Sequence, residues 1–156
     1  MSKPELLKFD SKISQRAASL EDIEWLEPFY ESIMRPYYVK FNYEWDSTKF
    51  REYFDPKITT VIQADGVDIG MLTVEERSDC IYLGDIQIDS AYRNKRIGTE
   101  LVETVIRSGN LVNKPVRLRV LKGNPAKELY LRLGFKEIQI LDNAYMMERT
   151  VDREPN

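Results

Sequence analysis

The chain has 156 residues, with 23 lysines and arginines against 26 aspartates and glutamates, a formal net charge of -3 and no histidine. That length suits one domain with an ordinary hydrophobic core, taken here as a single domain over 1–156 with its core at about 13–151 between short polar tails. A single cysteine, Cys80, excludes an internal disulfide, and without histidine neither a Cys/His metal cluster nor His-based catalysis is available, so no metal is expected.

Mild acidity excludes a broad basic footprint for nucleic acid. The polar start "MSKPELLKFDSKIS" lacks the apolar core of a signal peptide, and no segment approaches the roughly 18 continuous apolar residues of a membrane span. The expected address is the cytoplasm, with neither nucleic acid nor membrane as a partner.

The domain opens at Ile13. Ser19 and Asp22 resemble a capping box, and Leu20, Ile23, Leu26, Tyr30 and Ile33 recur at helical spacing. This predicts a first helix, kinked at Pro28 and stopped by Pro36. The aromatic-rich "RPYYVKFNYEWDSTKFREYFDP" follows, with a short second helix expected at about Thr48–Phe54. The period then changes: "TTVIQADGVDIGMLTVEE" reads as two strands turning at Asp65 and Gly66, and "CIYLGDIQID" as a third. From Gly98 to Ser108, Leu101, Val102, Val105 and Ile106 form one helical stripe, with Gly109 suited to the helix end. "PVRLRVL" alternates as a strand, and "NPAKELYLRLGF" is a helix with Asn124 as cap and Pro125 at its first position. "FKEIQIL" and "AYMMERTV" close as a strand pair. The order β-α-α-β-β-β-α-β-α-β-β predicts an α/β sheet with helices on both faces.

One stretch carries chemistry: "IQIDSAYRNKRIGTELVETVI", Ile86 to Ile106, joins strand, basic turn and helix. A helix start exposes unpaired N–H groups and a positive dipole end, so such a turn makes an anion cradle. Gly98 lets backbone approach an anion, and Arg93, Lys95 and Arg96 add charge-assisted contacts fit for a pyrophosphate. The other reading is a solvated basic turn. Neither the Walker pattern nor the dinucleotide G-x-G-x-x-G is present.

Together with "NPAKELYLRLGF", this loop resembles the GNAT superfamily of acetyl-CoA-dependent N-acyltransferases. The family's loop has Gln or Arg, two residues, Gly, one residue, then Gly or Ala. Arg93 and Gly98 meet it, while Arg96 stands where the middle glycine is usual. Arginine there removes left-handed freedom and adds a cation, which shifts the expected contacts from backbone toward side chain. Asn124, Pro125, Ala126, Leu129, Tyr130, Gly134 and Phe135 match the second motif.

The resemblance implies an α/β (α+β) fold with a mixed, mainly antiparallel sheet and a cofactor cleft where the strand ending at Ile88 splays from "VRLRVL". It implies acetyl-CoA as cosubstrate. Ile86, Gln87 and Ile88 would run beside the pantetheine arm, with backbone groups of Ile86 and Ile88 pairing to it. Arg93, Asn94, Lys95, Arg96, Ile97, Gly98 and Thr99 would hold the pyrophosphate, and Asn124 with Tyr130 would line the thioester end. Lys127 and Arg132 are candidates for the 3′-phosphate.

Attack of an amine on a thioester needs a neutral amine, a stabilised oxyanion and a proton for the departing thiolate. The family's ternary-complex mechanism needs no enzyme nucleophile. Tyr130 is the expected general acid; the other reading is a core-facing aromatic. Without histidine a base must be a carboxylate, and Asp85 interrupts an otherwise apolar strand, with Glu75 and Glu76 as competitors. An outward-facing acid on a half-buried strand is the plain reading of Asp85. Tyr37, Tyr38 and Glu75 are the expected acceptor contacts, with Glu44 and Asp46 near the same rings, unless those rings simply plug the sheet end. The acceptor is a small-molecule amine or a protein amino group, and a homodimer is left open. A non-catalytic acetyl-CoA-binding module and a plain interaction domain are the competing functions.

Overall fold

The structure is a computed structural model that describes residues 12–93 and 95–153. The elements run β1 (Ile13–Ala17), a 3-10 turn (Leu20–Asp22), α1 (Ile23–Phe41), α2 (Ser47–Tyr53), β2 (Thr59–Ala64), β3 (Val67–Glu76) and β4 (Ile81–Ile88). A second 3-10 turn (Ser90–Tyr92) precedes α3 (Ile97–Leu111), β5 (Val116–Leu121), α4 (Ala126–Arg132), β6 (Lys136–Ile140) and β7 (Ala144–Arg149). The strands order as β1-β2-β3-β4-β5-β7-β6 in one seven-stranded sheet. The pairs β1–β2, β2–β3, β5–β7 and β6–β7 are antiparallel and β4–β5 is parallel, which makes the expected mixed, mainly antiparallel sheet.

The chain divides into two compact units. One takes in the described residues up to Thr73 together with Asp85–Ile97; the other has Val74–Gly84 and the described residues from Gly98 onward.

In the first unit, Asp65 and Gly66 both have positive φ, 50° and 82°. That is the pair of left-handed residues a tight hairpin turn demands, as the sequence predicts. The core of this unit includes Val61, Ile62 and Leu26, all fully buried. Gly70 shows why a glycine interrupts β3. A Cβ built there would lie 2.1 Å from the Gln87 carbonyl oxygen and 3.2 Å from the Ile88 Cα, both backbone atoms of β4. Backbone cannot swing aside as a side-chain tip can. Gly70→Ala is therefore expected to cost about 3 kcal/mol, the upper range for overpacking. Urea unfolding would check it, and an unchanged midpoint would show that β4 gives way freely.

The first helix corrects an expectation. It does not stop at Pro36 but runs on to Phe41, with Pro28 and Pro36 both inside it. Proline removes the N–H that would bond the Ser32 carbonyl, yet the last turns have other support. Asn42 ends the helix in the left-handed region, and Tyr43 donates its N–H to the Tyr38 carbonyl at 2.8 Å. The Tyr38 ring also packs on Trp45, 5.7 Å between centroids. Helix α2 starts one residue earlier than expected because Asp46 caps it, its Oδ1 accepting the Lys49 N–H at 3.2 Å.

In the second unit, β4 pairs with β5 over Ile81–Leu83 against Val116–Leu118. Leu101, Val102, Val105 and Ile106 are buried as the stripe predicts. Gly109 is a correction: α3 continues past it to Leu111, and the left-handed residue is Asn113, φ 56°. What Gly109 supplies is closeness, since a Cβ there would sit 2.7 Å from the Lys114 carbonyl oxygen. Helix α4 starts at Ala126 with Pro125 in the cap position, one residue later than expected, and Asn124 Oδ1 accepts the Ala126 N–H at 2.9 Å just ahead of it.

Candidate active site

The alternation of β4 turns Asp85 and Gln87 toward α1. The Tyr30 hydroxyl donates to Asp85 Oδ1 at 3.3 Å, and Gln87 Nε2 comes within 4.0 Å of the Met34 sulfur. The Asp85 N–H donates to Thr73 Oγ1 at 2.6 Å, which fixes the strand where this side chain departs. Asp85 is half-buried. Desolvation pushes its carboxyl above the ordinary carboxylate range, and hydrogen bonds from Tyr30 and then Gln87 pull in the opposite direction. Half-buried, Asp85 lies on the strand face turned toward α1 and accepts from Tyr30.

The rings nearby contact one another. Tyr30 lies 5.3 Å from Phe50 and 6.0 Å from Trp45, centroid to centroid. Tyr37 and Tyr38 are half-buried. Burial raises both phenols; Arg93 opposes this at Tyr37, while the Asp85 charge adds to it at Tyr38. Glu27, buried on α1, accepts from the Ser47 hydroxyl and from Arg51 Nε at 2.8 Å, and so ties α2 down.

Past β4, Asp89 Oδ1 accepts the Ala91 N–H at 2.9 Å, and Arg93 Nε donates to the Ile88 carbonyl at 3.2 Å. Arg93 also lines an open groove of about 290 Å³ with Phe29, Ser32, Ile33, Pro36, Asp89 and Ser90. Lys95 is half-buried, Arg96 exposed and Ile97 buried. Asn94, expected in the same loop, lies outside the described residues. Arg96 has a φ of 65°. The expected loss of the left-handed conformation is thus overturned: arginine keeps the glycine-like turn, at a cost of about 1 kcal/mol.

In the second unit, Gly98 and Thr99 are half-buried in the first turn of α3, where helix N–H groups have no partner within the helix. Tyr130 is buried, its ring 5.7 Å from that of Phe135, and its carbonyl accepts the Phe135 N–H at 3.0 Å. Asn124 commits its Oδ1 to the cap. The Lys127 ammonium is ion-paired with Glu137, which raises its pKa, and sits 3.6 Å from the Tyr145 ring centroid. Glu75 pairs with Arg77, and Glu76 with Lys114 at 2.9 Å, so both competing carboxylates already hold cations.

Tyr30 is what the sequence reading missed as a site residue, since its helical spacing marked it only as core. The available signal was a polar tip on an apolar stripe. Among the described residues no cluster could hold a metal ion, and no helix is long and apolar enough to cross a membrane.

A search of curated proteins by sequence gave no match. Solved structures share the fold. The PaiA N-acetyltransferase of Thermoplasma acidophilum, in complex with coenzyme A, is 20% identical with a TM-score of 0.71, covering 89% of this chain and 99% of that one. Ard1 of Thermoplasma volcanium is 21% identical, TM-score 0.68, with 90% and 99% covered. The ribosomal-protein-S18-alanine N-acetyltransferase of Escherichia coli is 18% identical, TM-score 0.65, with 92% and 97% covered. The sequence profile of the acetyltransferase (GNAT) family matches residues 18–135, which takes in α1, the basic loop and the Asn124–Phe135 motif. On that match the chain belongs to the GNAT family of acetyltransferases, which draw their acetyl group from acetyl-CoA.

Proposed function

We propose that this chain transfers an acetyl group from acetyl-CoA to a primary amine by direct attack in a ternary complex, with 1–156 acting as one domain. The observation that carries the reading is the loop between β4 and α3. Arg93, Lys95 and Arg96 precede a helix start whose first N–H groups have no partner within the helix, and Arg96 takes the left-handed turn for which the family ordinarily uses glycine. A pyrophosphate fits such a cradle. Arg93 to Thr99 would hold it, Ile86 and Ile88 would pair through their backbone with the pantetheine arm, and Asn124 would line the thioester end.

Acetyl-CoA supplies an activated acyl group and a thiolate leaving group. Asp85, held short of solvent and hydrogen-bonded by neutral donors among the described residues, takes the proton of the attacking amine. Tyr130 donates a proton to the departing sulfur. Tyr37 and Tyr38 contact the acceptor, and Glu75 is retained as a further contact. Relatives named for a protein alanine and for N-acetyltransfer support an amino group as acceptor, on a protein or a small molecule.

Calorimetry with CoA tests the cradle. Gly98→Asp sets bulk and negative charge against the pyrophosphate, so affinity should fall about 10-fold or more. Equal affinity in that variant, or no binding by the parent protein, would sink the reading.

A further inference from the structure

Three carboxylates in this chain show what an acid looks like when it is fixed as a charge. Asp22 holds Arg16, Asp79 holds Arg117 and Asp152 holds Arg149, and the guanidinium keeps each carboxyl below the ordinary range. A carboxylate so paired is a poor proton acceptor, because its cation stabilises the ionised form too well. Asp85 differs in kind. Among the described residues, the groups set against it are the Tyr30 hydroxyl from α1, the Gln87 amide from β4 itself and, at its backbone N–H, the Thr73 hydroxyl from β3, with the Tyr38 phenol from α1 near enough to feel its charge. None of these carries a charge at neutral pH.

We propose that Tyr30 is a positioning residue for Asp85, aiming its carboxylate as a proton acceptor, and that Trp45 and Phe50 hold the Tyr30 hydroxyl where it can do so. The proposal rests on the reading of Asp85 as general base and adds to it. A carboxylate turns easily about its last torsion unless a donor holds it. The Tyr30 hydroxyl is such a donor, at 3.3 Å. Being neutral, it favours the ionised form only modestly, so it orients the oxygen without locking the proton out.

The hold on Tyr30 comes from the acceptor segment. Its ring contacts Trp45 at 6.0 Å and Phe50 at 5.3 Å, and Trp45 in turn contacts Tyr38 at 5.7 Å. Helix α2 buries none of its own residues, so the rings and the Glu27 anchor are its main ties to α1. An acceptor that settles against Trp45 therefore acts on the ring whose hydroxyl holds Asp85. In this arrangement the base is trimmed by the same aromatic group that would receive the amine.

The test needs no acceptor at first. Protein labelled at the aspartate carboxyl carbons is titrated by NMR, with Asp85→Asn assigning the Asp85 signal. Tyr30→Phe keeps the ring and deletes the donor, so the Asp85 midpoint should rise by about half a unit or more. Trp45→Leu, which leaves both Tyr30 and Asp85 chemically intact, should move it in the same direction by less. An unmoved midpoint in folded Tyr30→Phe overturns the Tyr30 inference alone. A midpoint unmoved in Trp45→Leu overturns the link to the acceptor segment. Once an acceptor amine is found, the acid limb of the kcat/KM profile should follow the midpoint. A midpoint that shifts while the limb stays put overturns the general-base reading of Asp85 and, with it, the part of Tyr30 in positioning a base.

Discussion

Asp22→Ala should lower the unfolding free energy by about 3 kcal/mol, or roughly 6–12 °C in Tm. Asp22 is 6% exposed, and its carboxylate accepts from Arg16 Nη1 at 3.0 Å, Arg16 Nη2 at 2.7 Å, Trp25 Nε1 at 2.9 Å and the Ser19 N–H at 2.8 Å. Alanine leaves the indole and the Ser19 amide without that acceptor. Arg16 suffers less, because it is partly exposed and keeps Asp68 at 2.9 Å. This places the loss at the low end for breaking a buried pair. The effect also has a pH signature. Arg16 is the main influence holding the Asp22 carboxyl far below the ordinary carboxylate range. A depressed folded pKa contributes stability that is complete above the unfolded value, about 4, and fades as pH falls toward the folded one. The gap between parent and variant should thus be full at pH 7 and shrink below about pH 4. Denaturant unfolding at several pH values would show it, and a gap independent of pH would mean that the ion pair contributes little.

Tyr130→Phe is expected to lower turnover by about 10²-fold while leaving CoA affinity in place, the low end for loss of a general acid. The ring packing on Phe135 at 5.7 Å is retained by phenylalanine, so the loss belongs to the proton. A screen of amines with acetyl-CoA, following free thiol, supplies the acceptor for this assay. Thermal unfolding runs beside it, since a buried hydroxyl can itself contribute about 1 kcal/mol. Full turnover in a stable variant would return Tyr130 to packing and leave the proton to solvent.

The periodic parts of this fold were legible because burial writes itself into spacing. The α3 stripe, the alternating strands and the Asp65–Gly66 turn all read directly from local chemistry. The misreadings arose where a distant contact outweighed a local preference. Pro36 signals a stop, but Asn42 and the rings beyond it carry α1 onward. Gly109 signals a cap, but the approach of Lys114 is what excludes a side chain there. Arg96 signals a lost left-handed turn, yet the loop imposes one. The site followed the same rule. Asp85 stood out as an acid in an apolar strand, whereas its partner Tyr30, 55 residues away, carried only a polar tip on an apolar stripe, which says nothing of which residue it meets.

Helix α2 buries none of its residues and is fastened through Glu27 to Ser47 and Arg51. The Phe50 ring adds its contact with Tyr30, so α2 is held by a clasp made of the partners of Glu27 and this ring. Sequence drift can therefore rewrite the other residues of α2 at little cost in foldability. For engineering, the same separation makes Thr48, Lys49, Glu52 and Tyr53 the natural positions for a library: they lie on the helix but outside its clasp.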